Sequence, residues 1–283
     1  MRNIKAIHKT VYSPVDDLET FRAIPTQSIN YLDPFLFLNH HGPQFYVKNN
    51  NGLPFGPHPH RGFETLTYVL KGDIAHQDST GGESVIKEGG IQWMTAGSGL
   101  IHSEVSSQEF MQNGGKVEVI QLWLNLAAKN KMVEPNYRGL TFEDICHFDL
   151  DGGKVNVDLI SGNWDKHKGP IDSLSNLTMA SIRLKADARL SLEVDEKNEI
   201  LFYLAYGELV VNATEIQKHQ LVQFENKGSE ISIKANSDSY LIFGYGKPFN
   251  EPMVAQGPFV MNSQEEIMAA YADFRSGKMG KWR

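Results

Sequence analysis

Two short motifs carry side chains that could bind a metal ion. The first contains His58 and His60, and the second contains His102 and Glu104. In a β-strand, residues two positions apart project to the same side, so each motif directs two ligands to one face. The segment between the motifs is long enough for several antiparallel strands to bring them together. Imidazole and carboxylate ligands without a thiolate suit iron, manganese, nickel, copper or zinc, and they leave positions open in a six-coordinate ion.

Glu64 is a second candidate for the carboxylate ligand. If one strand continued past the first histidine pair, Glu64 would share the parity of the histidines and point into a small barrel, whereas Thr65 and Thr67 would point out. The residue pattern therefore leaves open whether Glu64 or Glu104 completes the site.

Glycines and the pairing of the motifs strengthen the metal-site interpretation. A single pair of histidines two residues apart is usually an ordinary hydrogen-bonded pair. Here two such motifs occur in a β-rich chain beside Gly62, Gly97 and Gly99. These glycines permit tight turns at a barrel rim, where a Cβ atom would collide.

The elements that must position these motifs are short β-strands. Apolar runs such as 66–70, 117–124 and 241–245 recur between Gly, Asn and Asp turn signals, a pattern typical of antiparallel sandwiches and barrels. The only convincing long helix lies near the end. Ser263 and Glu266 there form a predicted capping box.

A faint internal repeat predicts two related β-domains. Residues 65–73 and 200–208 each form an apolar run that ends in a glycine turn, and each is followed by a hydrophobic return strand. The pattern is interrupted around residues 130–150. We therefore expect an N-terminal metal-binding domain over residues 1–135 and a C-terminal domain without a metal site over residues 136–283.

Composition narrows the classes of partner. The net charge is −7, with 27 basic and 34 acidic residues. The sequence contains no long basic run, so we do not expect direct nucleic-acid binding. The single cysteine, Cys146, cannot form an internal disulfide, which favours a reducing compartment. No stretch reaches the roughly 18 apolar residues of a membrane helix. Cytoplasm, or the nucleus of a eukaryote, is the expected location, with no membrane partner.

Two long blocks resemble the signature segments of the pirin family, which are bicupins of the cupin superfamily. They are Gly56–Thr65 and Trp93–Glu104. The resemblance extends to Asp33–Leu38, Glu251–Val254 and Gly257–Asn262. It implies an all-β fold of two tandem cupin barrels with a short C-terminal helix.

The resemblance also implies which residues bind the metal. It indicates one ion, most simply Fe(II), held by His58, His60, His102 and Glu104, and it leaves Glu64 outside the ligand set. On this point we follow the family pattern rather than the parity argument.

Two features depart from the pirin pattern. His40 and His41 form an additional histidine pair, which we expect to pack at the rim of the pocket. In the second half, the positions corresponding to the first histidine pair are interpreted as Glu193 and Asp195, a solvated acidic strand. The second domain is therefore expected to be structural, or to provide an interaction surface.

The resemblance supports two hypotheses about function. In the first, the protein is a metal-dependent dioxygenase that cleaves quercetin or a related small aromatic substrate with O₂, with Glu104 tuning the metal and Glu64 serving as general base. In the second, it is an iron-dependent redox-sensing regulator that binds a protein partner, as a transcription coregulator does. Sugar or small-acid isomerisation is a less favoured third hypothesis, because it ignores the long signature blocks.

Overall fold

The computed structural model describes residues 1–282, and most of its regular structure is β-strand. In chain order the strands are β1 (Ile4–Lys9), β2 (Val11–Tyr12), β3 (Thr20–Ile24), β4 (Phe35–Tyr46), β5 (Phe55–His60), β6 (Phe63–Lys71), β7 (Asp73–Asp78), β8 (Glu83–Lys87), β9 (Ile91–Thr95), β10 (Leu100–Val105), β11 (Gly115–Asn125), β12 (Asn136–Leu140) and β13 (Cys146–Leu150). They continue as β14 (Val155–Ser161), β15 (Asn163–Trp164), β16 (His167–Lys168), β17 (Thr178–Leu184), β18 (Arg189–Glu193), β19 (Glu199–Tyr206), β20 (Glu208–Val211), β21 (Thr214–Gln217), β22 (Gln220–Phe224), β23 (Glu230–Ala235), β24 (Ser239–Gly246), β25 (Val254–Gln256) and β26 (Phe259–Met261). The helices are α1 (Gln108–Asn113) and α2 (Gln264–Arg275), with short 3₁₀ turns at Ala128–Asn130, Phe142–Asp144 and Asp151–Gly153.

The chain divides into two compact units. The first, here called the histidine unit, comprises residues 12–21, 36–142 and the chain from Phe249 onward. The other, called the second unit, comprises residues 1–11, 22–35 and 143–248. Each unit thus draws on a terminal segment from the opposite end of the chain. The sequence boundary at residues 135 and 136 stays a prediction.

The histidine unit contains two sheets with an apolar core. One sheet has the strand order β12-β9-β6-β11-β4-β3-β2, and the other has the order β5-β10-β7-β8. Val69 and Val119 of the larger sheet cluster with Ile74 and Ile86 of the smaller one. The core therefore lies between the sheets, and the inner face of β6 is the one that carries its odd-numbered side chains.

The second unit repeats this architecture. Its sheets have the orders β1-β22-β19-β24-β17-β14-β13 and β18-β23-β20-β21. Leu192, Leu209 and Ile231 of the smaller sheet cluster with Phe202 and Phe243 of the larger sheet. The predicted all-β class with two tandem barrels is confirmed.

The internal repeat is visible in the order of the strands. Strands β9-β6-β11-β4 of the histidine unit stand in the same order as β22-β19-β24-β17, and β5-β10-β7-β8 stand in the same order as β18-β23-β20-β21. The segments matched in the sequence, 65–73 and 200–208, cover most of β6 and β19 and the turns after them. The two barrels are therefore related strand by strand.

The C-terminal helix α2 has the predicted capping box. Ser263 Oγ accepts a hydrogen bond from the backbone N–H of Glu266, and the Glu266 carboxylate accepts one from the backbone N–H of Ser263. Ile267 and Ala270 are buried and pack against Phe259 of β26. Among residues 1–282, no helix is long and apolar enough to cross a lipid bilayer.

Candidate metal centre

Three histidines from two paired strands converge in the histidine unit. Strands β5 and β10 pair antiparallel with His58 opposite His102, and His60 lies two residues along β5. His58 Nε2 lies 3.1 Å from His60 Nε2 and 3.0 Å from His102 Nε2. One ring nitrogen from each of the three residues lies within 4.8 Å of the others. The two sequence motifs thus meet as expected for their histidines.

The hydrogen bonds of the ring Nδ1 atoms show that this group suits a metal cation. His58 Nδ1 lies 2.7 Å from the carbonyl oxygen of Gly56, and His60 Nδ1 lies 3.2 Å from that of Pro258. A carbonyl only accepts, so each Nδ1 carries the proton and each neutral ring has an unprotonated Nε2. Two nitrogen lone pairs therefore face each other at 3.1 Å, an arrangement that a bound cation would stabilise.

Burial keeps two of the imidazoles neutral. Burial lowers the pKa of His60 to about 3, with a further contribution from repulsion by His58. Burial also lowers the pKa of His102 well below its ordinary value, together with repulsion from His60 and His58. Neutral imidazole is the form that ligates metals, so these shifts favour metal binding at neutral pH.

Glu104 lies beside the histidines but outside the group defined by their nitrogen atoms. Its carboxylate is buried, with Oε1 accepting from Thr67 Oγ1 at 3.2 Å and Oε2 accepting from Gln121 Nε2 at 2.6 Å. The pairing of β10 with β5 shifts register between His102 and Glu104, which alters the local strand geometry. The assignment of Glu104 as the fourth ligand stays a prediction.

Aromatic side chains form a wall next to the histidines. The His60 ring packs against Phe63 and Trp123 at centroid distances of 4.9 and 5.2 Å. Trp123 also stacks on Phe37 at 4.7 Å. The indole N–H of Trp123 is buried and has no hydrogen-bond acceptor among the described residues. This wall therefore combines apolar ring surface with one unused donor.

The parity argument for Glu64 was wrong, because the strand is interrupted. Strand β5 ends at His60 and β6 begins at Phe63. Gly62 between them has φ +87°, and a Cβ there would lie 2.0 Å from the carbonyl oxygen of Val260. After this break it is Phe63 and its odd-numbered successors that face the histidines.

Glu64 consequently projects from the opposite face of β6. Its Oε1 accepts hydrogen bonds from Trp93 Nε1 at 3.0 Å and from Thr95 Oγ1 at 2.7 Å, and its Oε2 is buried without a described partner. Burial raises its pKa, although these two hydrogen bonds lower it in part. A general base must lie within hydrogen-bond reach of the proton that it takes, and this position does not support that role for Glu64.

The additional histidines form hydrogen bonds of their own. His40 Nε2 lies 2.7 Å from Glu118 Oε1, and both side chains are buried. His41 Nδ1 lies 2.8 Å from Thr20 Oγ1, and its ring is 5.1 Å from that of Phe55. Neither histidine belongs to the group of three that could hold a metal.

A buried hydrogen-bonded pair adjoins the site on strand β7. His76 Nε2 lies 2.9 Å from Asp78 Oδ2, and the His76 ring stacks on Tyr137 at 3.7 Å and lies 5.5 Å from that of His102. Asp78 also accepts hydrogen bonds from Thr80 and from the backbone N–H of Gly82. Burial acts to raise the pKa of Asp78, but the hydrogen bonds from His76, Thr80 and Gly82 bring it to about 2.

The C-terminal segment supports the strand that carries the histidines. Besides the contact of His60 with Pro258, the buried Arg61 donates from Nη2 to Asp273 of α2 at 3.0 Å and from Nε to the Ser98 carbonyl at 2.7 Å. These partners are distant in sequence and follow no local pattern. Of these partners, only Pro258 lies in a segment that resembles the pirin family, residues 257–262.

A buried lysine holds the turn between β5 and β6. Lys131 Nζ donates to the carbonyl oxygens of Gly62 and Val260 at 2.8 and 3.1 Å and to Asn125 Oδ1 at 2.7 Å. Sequence reasoning missed this residue, because a lysine in a polar connecting segment is normally exposed. Its contacts indicate that Lys131 positions this turn and does not itself take part in the chemistry of the site.

The second unit has aliphatic residues in place of the site. Gly72 and Gly207 directly precede the corresponding strands β7 and β20, so the two units can be aligned at these glycines. Strand pairing then extends the correspondence from β7 to β10 and β5, and from β20 to β23 and β18. On this basis His58, His60, His76, His102 and Glu104 correspond to Leu192, Val194, Val211, Ile231 and Ile233, respectively.

The sequence correspondence with Glu193 and Asp195 was therefore wrong by one residue. A shift of one position in a strand exchanges its two faces, so the predicted acidic pair points away from the barrel interior. Glu193 and Asp195 are exposed, whereas Leu192 and Val194 are buried. The described part of the second unit has no group of metal-binding side chains.

Comparison with known proteins agrees with this architecture. Residues 17–124 match the family model of pirin, and residues 179–280 match that of the pirin C-terminal cupin domain. A pirin-like protein of Solanum lycopersicum is 36% identical over 92% of this chain and 86% of its own length. A pirin-like protein of Arabidopsis thaliana, At1g50590, is 37% identical over 93% of this chain and 86% of its own.

Solved structures give the same result. The crystal structure of a quercetin 2,3-dioxygenase from Acinetobacter baumannii superposes with a TM-score of 0.93 at 33% identity, covering 99% of both chains. The bacterial pirin YhhW from Escherichia coli, solved in complex with nickel(II), superposes with a TM-score of 0.69 at 20% identity over 86% of this chain and 99% of its own, and it supports the fold alone. With two cupin-type barrels and these relatives along most of its length, the chain belongs to the pirin family.

Proposed function

We propose that this protein is a metal-dependent dioxygenase of the quercetin 2,3-dioxygenase type, which cleaves a flavonol or a related aromatic substrate with O₂. The observation that carries the proposal is the convergence of His58, His60 and His102, with the lone pairs of the first two facing each other. The similarity to the Acinetobacter quercetin 2,3-dioxygenase supports it. We propose Fe(II) as the metal, with manganese, nickel, copper and zinc as the alternatives.

The three histidines would hold the ion, and Glu104 is the proposed carboxylate ligand. A metal ion there would act as a Lewis acid toward the oxygen atoms of the substrate and would supply the chemistry with O₂. Thr67 and Gln121 orient the Glu104 carboxylate by donating one hydrogen bond to each oxygen. Because both oxygens already accept a hydrogen bond, the carboxylate is held in a fixed orientation beside the histidines.

The aromatic wall would bind and orient the substrate. Trp123 is half-buried and offers ring surface beside His60, against which a planar aromatic substrate can pack. Phe63 is fully buried and supports the Trp123 ring from behind at a centroid distance of 4.5 Å. The rings of Phe63 and Trp123 cover one side of the buried His60 ring.

The experiment measures quercetin consumption and oxygen uptake by the metal-loaded protein. We expect one O₂ to be consumed per quercetin, at a rate well above that of the free metal. The double variant His58→Ala, His60→Ala should lose the bound metal by elemental analysis and lose turnover with it, by more than about 100-fold. His167→Ala, in the second unit, is the control and should retain both.

Two outcomes would contradict the proposal. Unchanged metal stoichiometry in the double variant would show that the ion binds elsewhere. Full metal occupancy in the parent protein with no oxygen uptake above free metal would show that the centre is not a dioxygenase of this type.

A further inference from the structure

The second unit contains a cavity that the proposed dioxygenase function does not use. Its volume is about 230 Å³, and it lies where strands β15, β18 and β24 come together. Phe243 and Leu192 from the barrel core line it, and Trp164 and Tyr245 are half-buried beside them. The cavity therefore combines a buried apolar base with aromatic rings that retain exposed surface.

The charged side chains that line the cavity are all negative. Asp165 and Glu193 line it, and no lysine, arginine or histidine does. Within residues 1–282, neither carboxylate forms a hydrogen bond or an ion pair with a protein group. Two carboxylates without a positively charged partner at the edge of one cavity attract a cation together.

The aromatic rings are held in fixed positions by one another. The Trp164 ring packs edge to face against Phe148 at 5.8 Å and against Phe243 at 6.0 Å, and Phe243 lies 5.9 Å from Tyr245. Indole is the strongest of the aromatic side chains at attracting a cation to its face, and phenol follows it. The cavity thus offers preorganised aromatic surface beside its two carboxylates.

The size and the donor set point to a small organic cation. The volume is below the roughly 300 Å³ at which pockets for drug-sized ligands begin, so a flavonol would not fit. Hard metal ions take six or more oxygen ligands, and this cavity offers two carboxylates and aromatic rings instead. Rings and carboxylates together match an alkylated ammonium group, which is both apolar and positively charged.

We propose that the cavity bounded by Trp164, Phe243 and Tyr245, with Asp165 and Glu193 at its edge, binds a small organic ammonium ion. The site is separate from the three histidines, and it does not depend on the proposed dioxygenase activity. It assigns a small-ligand site to a unit that the sequence predicted to be structural or to provide an interaction surface.

The test is calorimetric titration of the metal-loaded full-length protein with tetramethylammonium and with choline. We expect saturable binding in the millimolar range at constant ionic strength. The neutral isostere of choline, 3,3-dimethylbutan-1-ol, should bind about tenfold more weakly, because it lacks the charge that the rings and carboxylates attract. Sodium chloride at the same concentration should not displace the ammonium ion.

Two sets of variants locate the site. The double variant Asp165→Asn, Glu193→Gln removes both charges without changing side-chain volume, and we expect a loss of affinity of about tenfold or more. Asp187→Asn, Glu215→Gln removes two exposed carboxylates elsewhere in the same unit and should bind as the parent does. Trp164→Leu should also weaken binding, with circular dichroism to confirm that the variant is folded.

Any of three results would overturn the proposal. They are no saturable binding of either ammonium ion, equal affinity for the neutral isostere, and equal affinity of the Asp165→Asn, Glu193→Gln variant and its control. Because the charge-neutral variant changes no apolar packing, it keeps the test decisive even where Trp164→Leu fails to fold.

Discussion

The two barrels share a strand order but differ in what fills them at corresponding positions. Where the histidine unit has His58, His60 and His102, the second unit has Leu192, Val194 and Ile231. The aliphatic version builds the same pair of sheets around a continuous apolar cluster. The fold therefore does not need polar side chains at these positions, which supports the proposed role of the histidines in binding a metal.

The largest effect is expected from placing histidines in the second unit. Leu192 and Ile231 are directly opposite each other and buried, so Leu192→His with Ile231→His removes apolar contacts and buries imidazoles without partners. We expect the free energy of unfolding to fall by about 4 kcal/mol or more in urea titrations. Ser191→His with Ser232→His, the exposed pair on the other face, should change it by less than about 0.5 kcal/mol. Equal losses in both variants would refute the assignment of faces.

A slightly smaller effect is expected from the buried cations that hold corresponding turns. Lys131 contacts the turn between β5 and β6, and Arg2 donates to the carbonyl oxygens of Asp195 and Asn198 in the turn between β18 and β19. Lys131→Met and Arg2→Met should each cost about 3 kcal/mol of stability, because buried acceptors lose their donors. Only Lys131→Met should also weaken metal binding, by about tenfold in a competition assay with a chelator. Equal metal affinity in the two variants would contradict a positioning role for Lys131.

Converting the histidine unit toward the second unit should stabilise it. In metal-free protein, His102 has a buried Nδ1 without a hydrogen-bond partner, and its Nε2 lies 3.0 Å from His58 Nε2. The double variant His58→Leu, His102→Ile replaces both imidazoles with the aliphatic side chains that the second unit has at these positions. We expect the free energy of unfolding to rise by about 2 kcal/mol, measured in urea with a chelator present, while metal binding is lost. A fall in stability would show that the surrounding residues pack better against imidazole than against aliphatic side chains.

The smallest expected effect concerns Asp78, which forms a hydrogen-bonded pair with His76. The second unit has no equivalent of this pair, because Val211 corresponds to His76 there. The pKa of Asp78 in the folded protein is about 2, below the ordinary value of 3.8. Its ionised form therefore stabilises the fold above about pH 4, and this contribution is lost as the pH falls toward 2.

Asp78→Asn should accordingly lower the free energy of unfolding at pH 7 by about 1 kcal/mol. The difference in stability between the parent and this variant should then shrink as the pH falls from 4 to 2, because the parent loses the contribution of ionised Asp78. Unfolding of metal-free protein across this range provides the measurement, with Asp187→Asn as the control. A constant difference between parent and Asp78→Asn from pH 7 to pH 2 would contradict the low pKa.

The sequence predicted those features that depend on local spacing. His58, His60 and His102 could be found because residues two apart share a strand face, and the capping box of Ser263 because its partner is three residues away. The face of Glu64 could not be predicted, because Gly62 ends one strand and a new phase starts at Phe63. The one-residue error at Glu193 has a similar origin, since the turn after β18 is longer than that after β5. The contacts of Lys131, Pro258 and Asp273 depend on tertiary structure and leave no local pattern.

The support of His60 by distant residues has a consequence for the order of events during synthesis. Its Nδ1 contacts Pro258, which is 198 residues further along the chain, and neighbouring Arg61 contacts Asp273, which is 212 residues away. Because translation proceeds from the N-terminus, His60 leaves the ribosome long before the group that fixes its ring. A nascent chain would therefore hold His60 without its ring partner, and the proposed metal site would be complete only after release of the last segment.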